Sequence, residues 1–361
     1  MALHDARPPA APAAVRTSDP EPLGEAFVRA FFQHVLQQEP PPAQLRQLSD
    51  AVAEHANDPA GMLKELATSP QVRARLGVPA RWPAGHYYSP VVSPRTVEEY
   101  VRAERRKPVD RIAGVPIDLA AMRELWLQHL DYVRTTPFRD EPTEGNRFHV
   151  RGGPYPMGDA IILRMMIRHL QPRRILEIGS GYTTACLLDS ITHANLQSVE
   201  LVCVEPNADR MRSLLWKGDL DRIRLLERPI QDVPEDIVDM LGSGDLLLID
   251  STHVLKTGSD VHHELFSLLP RLEIGVVIHV HDIMPGFEYP DAWIQQENYS
   301  WNECYALRAF LMYNSDFKVK FWNGVFARTF ARELKEECPI LFPNPGSAIW
   351  IERRARMDQA A

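Results

Sequence analysis

The stretch Arg174-Ile-Leu-Glu-Ile-Gly-Ser-Gly-Tyr-Thr-Thr184 decides the fold of this 361-residue chain. Its apolar run, Ile175, Leu176 and Ile178, has the character of a strand buried on both faces of a parallel sheet. Gly179 and Gly181, with Ser180 between them, allow a sharp turn and a close approach of the backbone to a ligand. Thr183 to Asp189 reads as the first turns of a helix. Strand, turn and helix N-terminus together predict a nucleotide-sized site at the strand's carboxyl end.

Two acids sharpen that expectation. Glu177 precedes the first glycine by two residues, where its carboxylate is expected to face the ligand crevice and accept from a cation or amine. Glu205 closes the next apolar run, Leu201-Val-Cys-Val-Glu205, in position to take a ribose diol. Thr184 stands where a dinucleotide fingerprint has its third glycine. That substitution, with Glu177, argues against a nicotinamide-dependent oxidoreductase.

Further apolar runs follow at Ile223–Leu226, Leu246–Asp250 and Gly275–Asp282. Helical patterns lie between them near 184–190, 208–216, 235–241 and 259–269. Such alternation predicts a parallel α/β sheet with helices on both sides. A helix over 158–169 leads into the first strand. A helix around 303–313 and the runs Phe317–Trp322 and Ala348–Glu352 come after the fifth.

The N-terminal third reads differently. Residues 1–22 are rich in Pro and Ala without periodicity and are expected to be a disordered tail. Residues 23–78 carry helical spacings (Phe27, Phe31, Val35, Leu36; Leu45, Leu48, Val52; Met62, Leu63, Leu66; then Val72 and Leu76) and form a small helical module. Residues 79–147 read as a linker with packing or lid helices. There Pro79, Pro83, Pro90 and Pro94 are expected to break any long element, and a helix runs over 119–132. The sheet domain takes 148–355.

Composition excludes several classes of function. A net charge of −8 leaves no basic footprint for nucleic acid. No apolar stretch approaches the roughly 20 residues that cross a bilayer, and the N-terminus has no basic-then-apolar leader. The four cysteines (Cys186, Cys203, Cys304, Cys338) form no Cys-x-x-Cys pair. They read as reduced thiols in a cytoplasmic protein.

Chemistry is expected where strands end. The fourth strand delivers Asp250 followed by His253, and the fifth delivers His279, His281 and Asp282. Side chains alternate along a strand, so His279 and His281 share a face. His253 or His281 is the candidate general base, a task that suits a near-neutral imidazole. His279 is expected to be a satisfied core histidine, and His262-His263 to lie at the surface. Tyr155 or Asp159 is placed either to close over the site or to cap a helix. Gln231-Asp232, after the third strand, reads as a ligand contact or a simple turn. The aromatic loop 285–301 suits a sugar ring or an aromatic acceptor, or else forms a second small core.

The pattern of Glu177, Gly179, Gly181 and Glu205 resembles the class I S-adenosylmethionine-dependent methyltransferases. The segments Ile249-Asp-Ser-Thr-His253, His279-Val-His-Asp-Ile283, Phe287-Glu-Tyr-Pro290 and Trp301-Asn-Glu303 resemble bacterial members of that class. The resemblance implies a doubly wound Rossmann-like sheet, mostly parallel with an antiparallel last strand, preceded by the all-α module. It implies S-adenosylmethionine as cofactor, held by Glu177, Gly179, Ser180, Gly181, Thr184, Glu205, Gln231, Asp232 and Asp250. It implies methylation of a hydroxyl on a saccharide or specialised metabolite, with Asp250, His253, His281 and Asp282 around the acceptor. Asp250, His281 and Asp282 also match in position the metal ligands of catechol-type O-methyltransferases. His281-Asp282 stands where that pattern has Asp-Asn, which disfavours hard Mg²⁺. The partner is then a small-molecule or glycan acceptor, with no nucleic acid or membrane. A non-catalytic protein that binds S-adenosylmethionine and recruits partners, and a homo-oligomer, stay open.

Overall fold

A computed structural model describes residues 22–34, 39–55, 58–69, 72, 81–104, 107–151, 153–342 and 344–354. The expected tail, apart from Pro22, lies outside the described residues, as do Val35, Leu36 and Leu76. The chain divides between Pro83 and Ala84 into two units.

In the first unit, helices Leu23–His34, Pro42–Ala53 and Pro59–Thr68 bury Val28, Phe31, Phe32, Leu45, Leu48, Val52, Met62 and Leu66 against one another. The second helix begins on Pro42, where a missing N–H costs nothing. Asp58 caps the third by accepting from the Ala60 amide.

The second unit is built on a seven-stranded sheet: β1 Arg174–Ile178, β2 Glu200–Val204, β3 Ile223–Leu226, β4 Leu246–Ile249, β5 Val277–Val280, β6 Phe317–Trp322 and β7 Ile349–Arg353. The strand order is β3-β2-β1-β4-β5-β7-β6. The first five strands are parallel, with Ile175 beside Leu201 and Leu246. Strand β7 runs antiparallel to both β5 and β6. The central strands are buried on both faces, as continuous apolar runs require. β6 and β7 pair as neighbours but are not a tight hairpin, because helices Asn323–Thr329 and Ala331–Glu337 lie between them in the chain.

Three other local readings change. Pro94 does not break an element; it starts the helix Pro94–Glu104, since proline is pre-shaped for a first helical position. The helix expected over 259–269 is regular only over Asp260–His263 and widens to a π-helical turn over Glu264–Leu268 before Pro270. The helices near 208–216 and 235–241 are shorter, Asp209–Leu214 and Asp236–Asp239.

Helix Leu119–Gln128 turns Met122, Leu125 and Trp126 into the sheet unit's core. Just before Phe148, Arg147 makes paired hydrogen bonds to Asp219 (2.7 and 2.5 Å) and reaches Asp189 at 2.8 Å. Removing one partner of so buried a cluster costs about 3–5 kcal/mol. All four cysteines are buried and unpaired.

Candidate functional site

A cleft of about 650 Å³ opens beyond the carboxyl ends of the parallel strands. Ladder hydrogen bonds carry past each strand end: the Gly179 amide donates to Val204, Asp250 to Ile178 and His281 to Ile249. The residues that turn into the cleft are therefore fixed by the sheet itself.

Gly179 has φ +80°, and a Cβ there would lie 1.9 Å from the Asp250 carbonyl oxygen. Only glycine fits both the backbone conformation and the space. The Ser180 amide donates to Glu205 Oε2 at 3.1 Å, and the Asn207 amide to Glu205 Oε1 at 2.7 Å. Glu205 lines the cleft, as do Gly179, Ser180, Gly181, Gln231 and Asp250.

Glu177 departs from expectation, for it is fully buried and does not line the cleft. Its Oε2 accepts from the Thr184 hydroxyl (2.6 Å) and the Cys203 thiol (3.2 Å). Its strand face is covered by the first turn of helix Tyr182–His193, where Thr184 also accepts from the Gly181 amide at 3.0 Å. Glu177 and Thr184 thus brace the turn from beneath. Burial pushes the Glu177 carboxyl up to about 7, against the pull of its hydrogen-bond donors. Asp232 is exposed and away from the cleft, whereas Gln231 lines it and donates to the Gly258 carbonyl.

At the β4–β5 end the histidines and acids converge. His253 Nε2 is 3.7 Å from Asp250 Oδ1 and 3.7 Å from Asp282 Oδ2. His281 Nδ1 is 3.2 Å from Asp250 Oδ1 and 3.6 Å from Asp282 Oδ1. Ligand-capable atoms of Asp250, His253 and His281 all lie within 4.8 Å of one another. Each imidazole has a carboxylate behind it. His253 Nδ1 meets Glu303 Oε2 at 2.8 Å, and His281 Nε2 meets Asp159 Oδ2 at 3.2 Å.

Asp159 is itself held by Asn323 Nδ2 (2.6 Å) and the amides of Ser347 and Ala348 (3.0 Å each). Asp282 accepts from the Ser347 hydroxyl at 3.0 Å. His253 (φ +60°) and Asp282 (φ +55°) both occupy the left-handed region, a strain that the surrounding bonds must hold. Tyr155 lies over His281, with ring centroids 5.0 Å apart.

Charge follows this geometry. Burial opposes a charged His281, but Asp282, Asp250 and Asp159 hold its imidazolium well above the ordinary histidine range. Burial likewise opposes a charged His253, yet Glu303 and the two aspartates raise it. Burial would raise Asp250, but His281 and His253 bring it down to about 2.

His279 is buried as expected, though neither nitrogen has a hydrogen-bond partner. It stacks on His281 and is pushed down to about 3, mainly by burial. His262 is exposed and His263 half-buried, and neither lines the cleft.

Glu303 is the functional candidate that sequence reasoning missed. Its signal was the Trp301-Asn-Glu303 segment, which begins helix Glu303–Leu311 and packs the Trp301 ring 4.5 Å from His253.

Residues 176–283 match a family model described as a methyltransferase domain. An uncharacterized protein of Archaeoglobus fulgidus is 26% identical over 160 residues, which cover 42% of this chain and 70% of that protein. Among solved structures, a methyltransferase of Podospora anserina bound to S-adenosylhomocysteine aligns with 72% of this chain and 97% of its own, at 16% identity and a TM-score of 0.37. An O-methyltransferase of Streptomyces achromogenes involved in tomaymycin synthesis, in complex with S-adenosylmethionine, aligns with 67% of this chain and 92% of its own, at 17% identity and a TM-score of 0.35. The matched residues 176–283 run from β1 and its glycine turn to the end of β5, so it is this parallel part of the β3-β2-β1-β4-β5-β7-β6 sheet that is similar to a methyltransferase domain.

Proposed function

We propose that the domain methylates a hydroxyl of a small molecule, a saccharide or specialised metabolite, with His253 as the base. The observation that carries this reading is His253, which lines the cleft beside Asp250 and is backed by buried Glu303. Bound S-adenosylmethionine supplies an electrophilic methyl group on a sulfonium.

The residues present fit that cofactor. Gly179, Ser180 and Gly181 line the cleft, and the Ser180 amide ties this turn to Glu205. Glu205 is placed to accept from a ribose diol, and Gly179 lets the backbone come close. A hydroxyl must lose its proton as the new C–O bond forms. Glu303 holds His253 Nδ1 and so directs Nε2 toward the acceptor side of Asp250.

His253→Gln should lower turnover by roughly 10²–10⁴ while calorimetry still finds S-adenosylhomocysteine bound. In the parent protein, kcat/KM should climb with pH through a value above the ordinary histidine range, because a base must be unprotonated and His253 is raised. A flat profile, or full turnover in the variant, would remove His253 from this role.

A second reading has its own observation. His281 Nδ1 is buried between Asp250 Oδ1 at 3.2 Å and Asp282 Oδ1 at 3.6 Å, a nitrogen and carboxylates gathered at ligand spacing. Carboxylates stand behind both imidazoles, as they do behind metal-bound histidines. Asp250, His253 and His281, with Asp282 beside them, would hold a divalent ion of the Mn²⁺-to-Zn²⁺ kind rather than Mg²⁺. Such an ion would orient and acidify the acceptor hydroxyl. Elemental analysis and chelation separate the readings, since a chelator stops turnover only if the ion is needed.

A further inference from the structure

We propose that Asp159 is a positioning residue of the reaction. It fixes the His281 imidazole in one orientation, the Nε2–H committed to Asp159 and Nδ1 turned to Asp250 and Asp282. This rests on the methyltransferase reading above and adds the residue that orders its reaction centre from behind.

Asp159 is wholly buried and does not line the cleft, so it acts through His281 or not at all. It stands in the first turn of helix Met157–Leu170, yet the donors around it come from other parts of the chain. Oδ1 accepts from Asn323 Nδ2 at 2.6 Å and from the Ser347 and Ala348 amides at 3.0 Å each. The Ser347 amide also reaches Oδ2, at 3.1 Å. So close an approach needs glycine at 346, where φ is +83° and a Cβ would lie 2.2 Å from Asp159 Oδ1. Gly158 clears the same contact from the helix side, since a Cβ there would lie 2.1 Å from the Pro345 carbonyl carbon. A carboxylate ringed by donors is an acceptor only. The nitrogen that faces its Oδ2 at 3.2 Å, His281 Nε2, is therefore the one that donates.

The other edge of the ring is ordered as well. Nδ1 lies 3.2 Å from Asp250 Oδ1 and 3.6 Å from Asp282 Oδ1. Ser347 serves both edges, because its amide donates to Asp159 and its hydroxyl donates to Asp282 at 3.0 Å. One residue thus sets two of the carboxylates between which the imidazole lies. Tyr155 and His279 pack against the ring, with centroids 5.0 and 6.1 Å from it. A histidine held at one nitrogen by a carboxylate presents the other in a fixed direction. Asp250, which stands 3.7 Å from His253 Nε2, takes its place against that ordered nitrogen.

Asp159→Asn is the variant that separates positioning from packing. Its carbonyl oxygen can keep the three donors on Oδ1, and its amide NH₂ then faces His281 Nε2, donor against donor. The reverse placement would set the NH₂ against Asn323, Ser347 and Ala348. The variant therefore demands an Nε2 without hydrogen. Long-range ¹H–¹⁵N spectra of the full chain, with His281 assigned by its loss in His281→Gln, should show a protonated Nε2 in the parent and a lone-pair Nε2 in Asp159→Asn. Turnover should fall roughly 10–100-fold, with S-adenosylhomocysteine affinity by calorimetry unchanged as the check on folding. Ser347→Ala keeps its amide on Asp159 and loses only the hydroxyl on Asp282, so its Nε2 should stay protonated. A parent Nε2 without hydrogen would overturn the proposal whatever the variants do. Full turnover in Asp159→Asn, or a lone-pair Nε2 in Ser347→Ala, would overturn it too. If S-adenosylhomocysteine does not bind the parent, the methyltransferase reading fails, whereas the parent spectrum still decides how Asp159 holds His281.

Discussion

Glu177 and Asp250 stand at the ends of neighbouring strands, and burial acts on both, yet their carboxyls shift in opposite directions. Glu177 has a hydroxyl and a thiol for company, so burial prevails and its carboxyl rises to about 7. Asp250 faces two imidazoles and falls to about 2. For Glu177 the folded protein binds the proton more tightly than the unfolded chain does. Its contribution to stability is therefore complete below the ordinary glutamate range and is lost as pH rises toward 7. The loss amounts to about 3 kcal/mol at roughly 1.4 kcal/mol per unit. Urea denaturation between pH 4 and 8 should show this decline in the parent protein and lack it in Glu177→Gln; parallel curves would mean the carboxyl is already ionised. The motif located Glu177 correctly against the glycine turn but misjudged which way it points. Orientation was decided by Thr184 and Cys203, which cover its side of the strand. Likewise His253 was legible beside Asp250, while its partner Glu303 was not, because 50 residues separate the pair and only the folded sheet brings them together.

Among the elements, the β1 turn is the least tolerant of change. Gly179→Ala would need left-handed backbone and would press a methyl group into the Asp250 carbonyl. A loss of roughly 2–5 kcal/mol is expected, together with loss of S-adenosylhomocysteine binding. Chemical denaturation and calorimetry check both, and a stable variant that still binds would show that the turn yields. The same turn was readable because glycine spacing and an apolar strand are local signals. The π-helical turn Glu264–Leu268 was not. Within it Glu264 is buried and accepts from Ser251, after β4, at 3.2 Å, a contact between distant stretches that no local pattern announces. Helix Pro94–Glu104 escaped for the opposite reason, a local one, because proline stops a helix from within but begins one from its first position.

On the scale of the whole molecule, the described residues of the two units form two hydrophobic cores, with no buried residue in common among them. A chain started at Ala84 should fold and bind S-adenosylhomocysteine as the full chain does. Loss of binding on that truncation, read by calorimetry, would assign residues before Ala84 a part in building the cleft. The alternating strands were legible as a class of sheet. The closing pair was harder, because β7 takes its place between β5 and β6 only after two intervening helices. Asp159 draws a consequence from that late insertion. It receives the amides of Ser347 and Ala348, which follow it by 188 and 189 residues. During synthesis the carboxylate behind His281 is without these donors until Ala348 has left the ribosome. Chains ending before Ser347 lack both these donors and β7, so ribosome-stalled chains cut there should show no turnover.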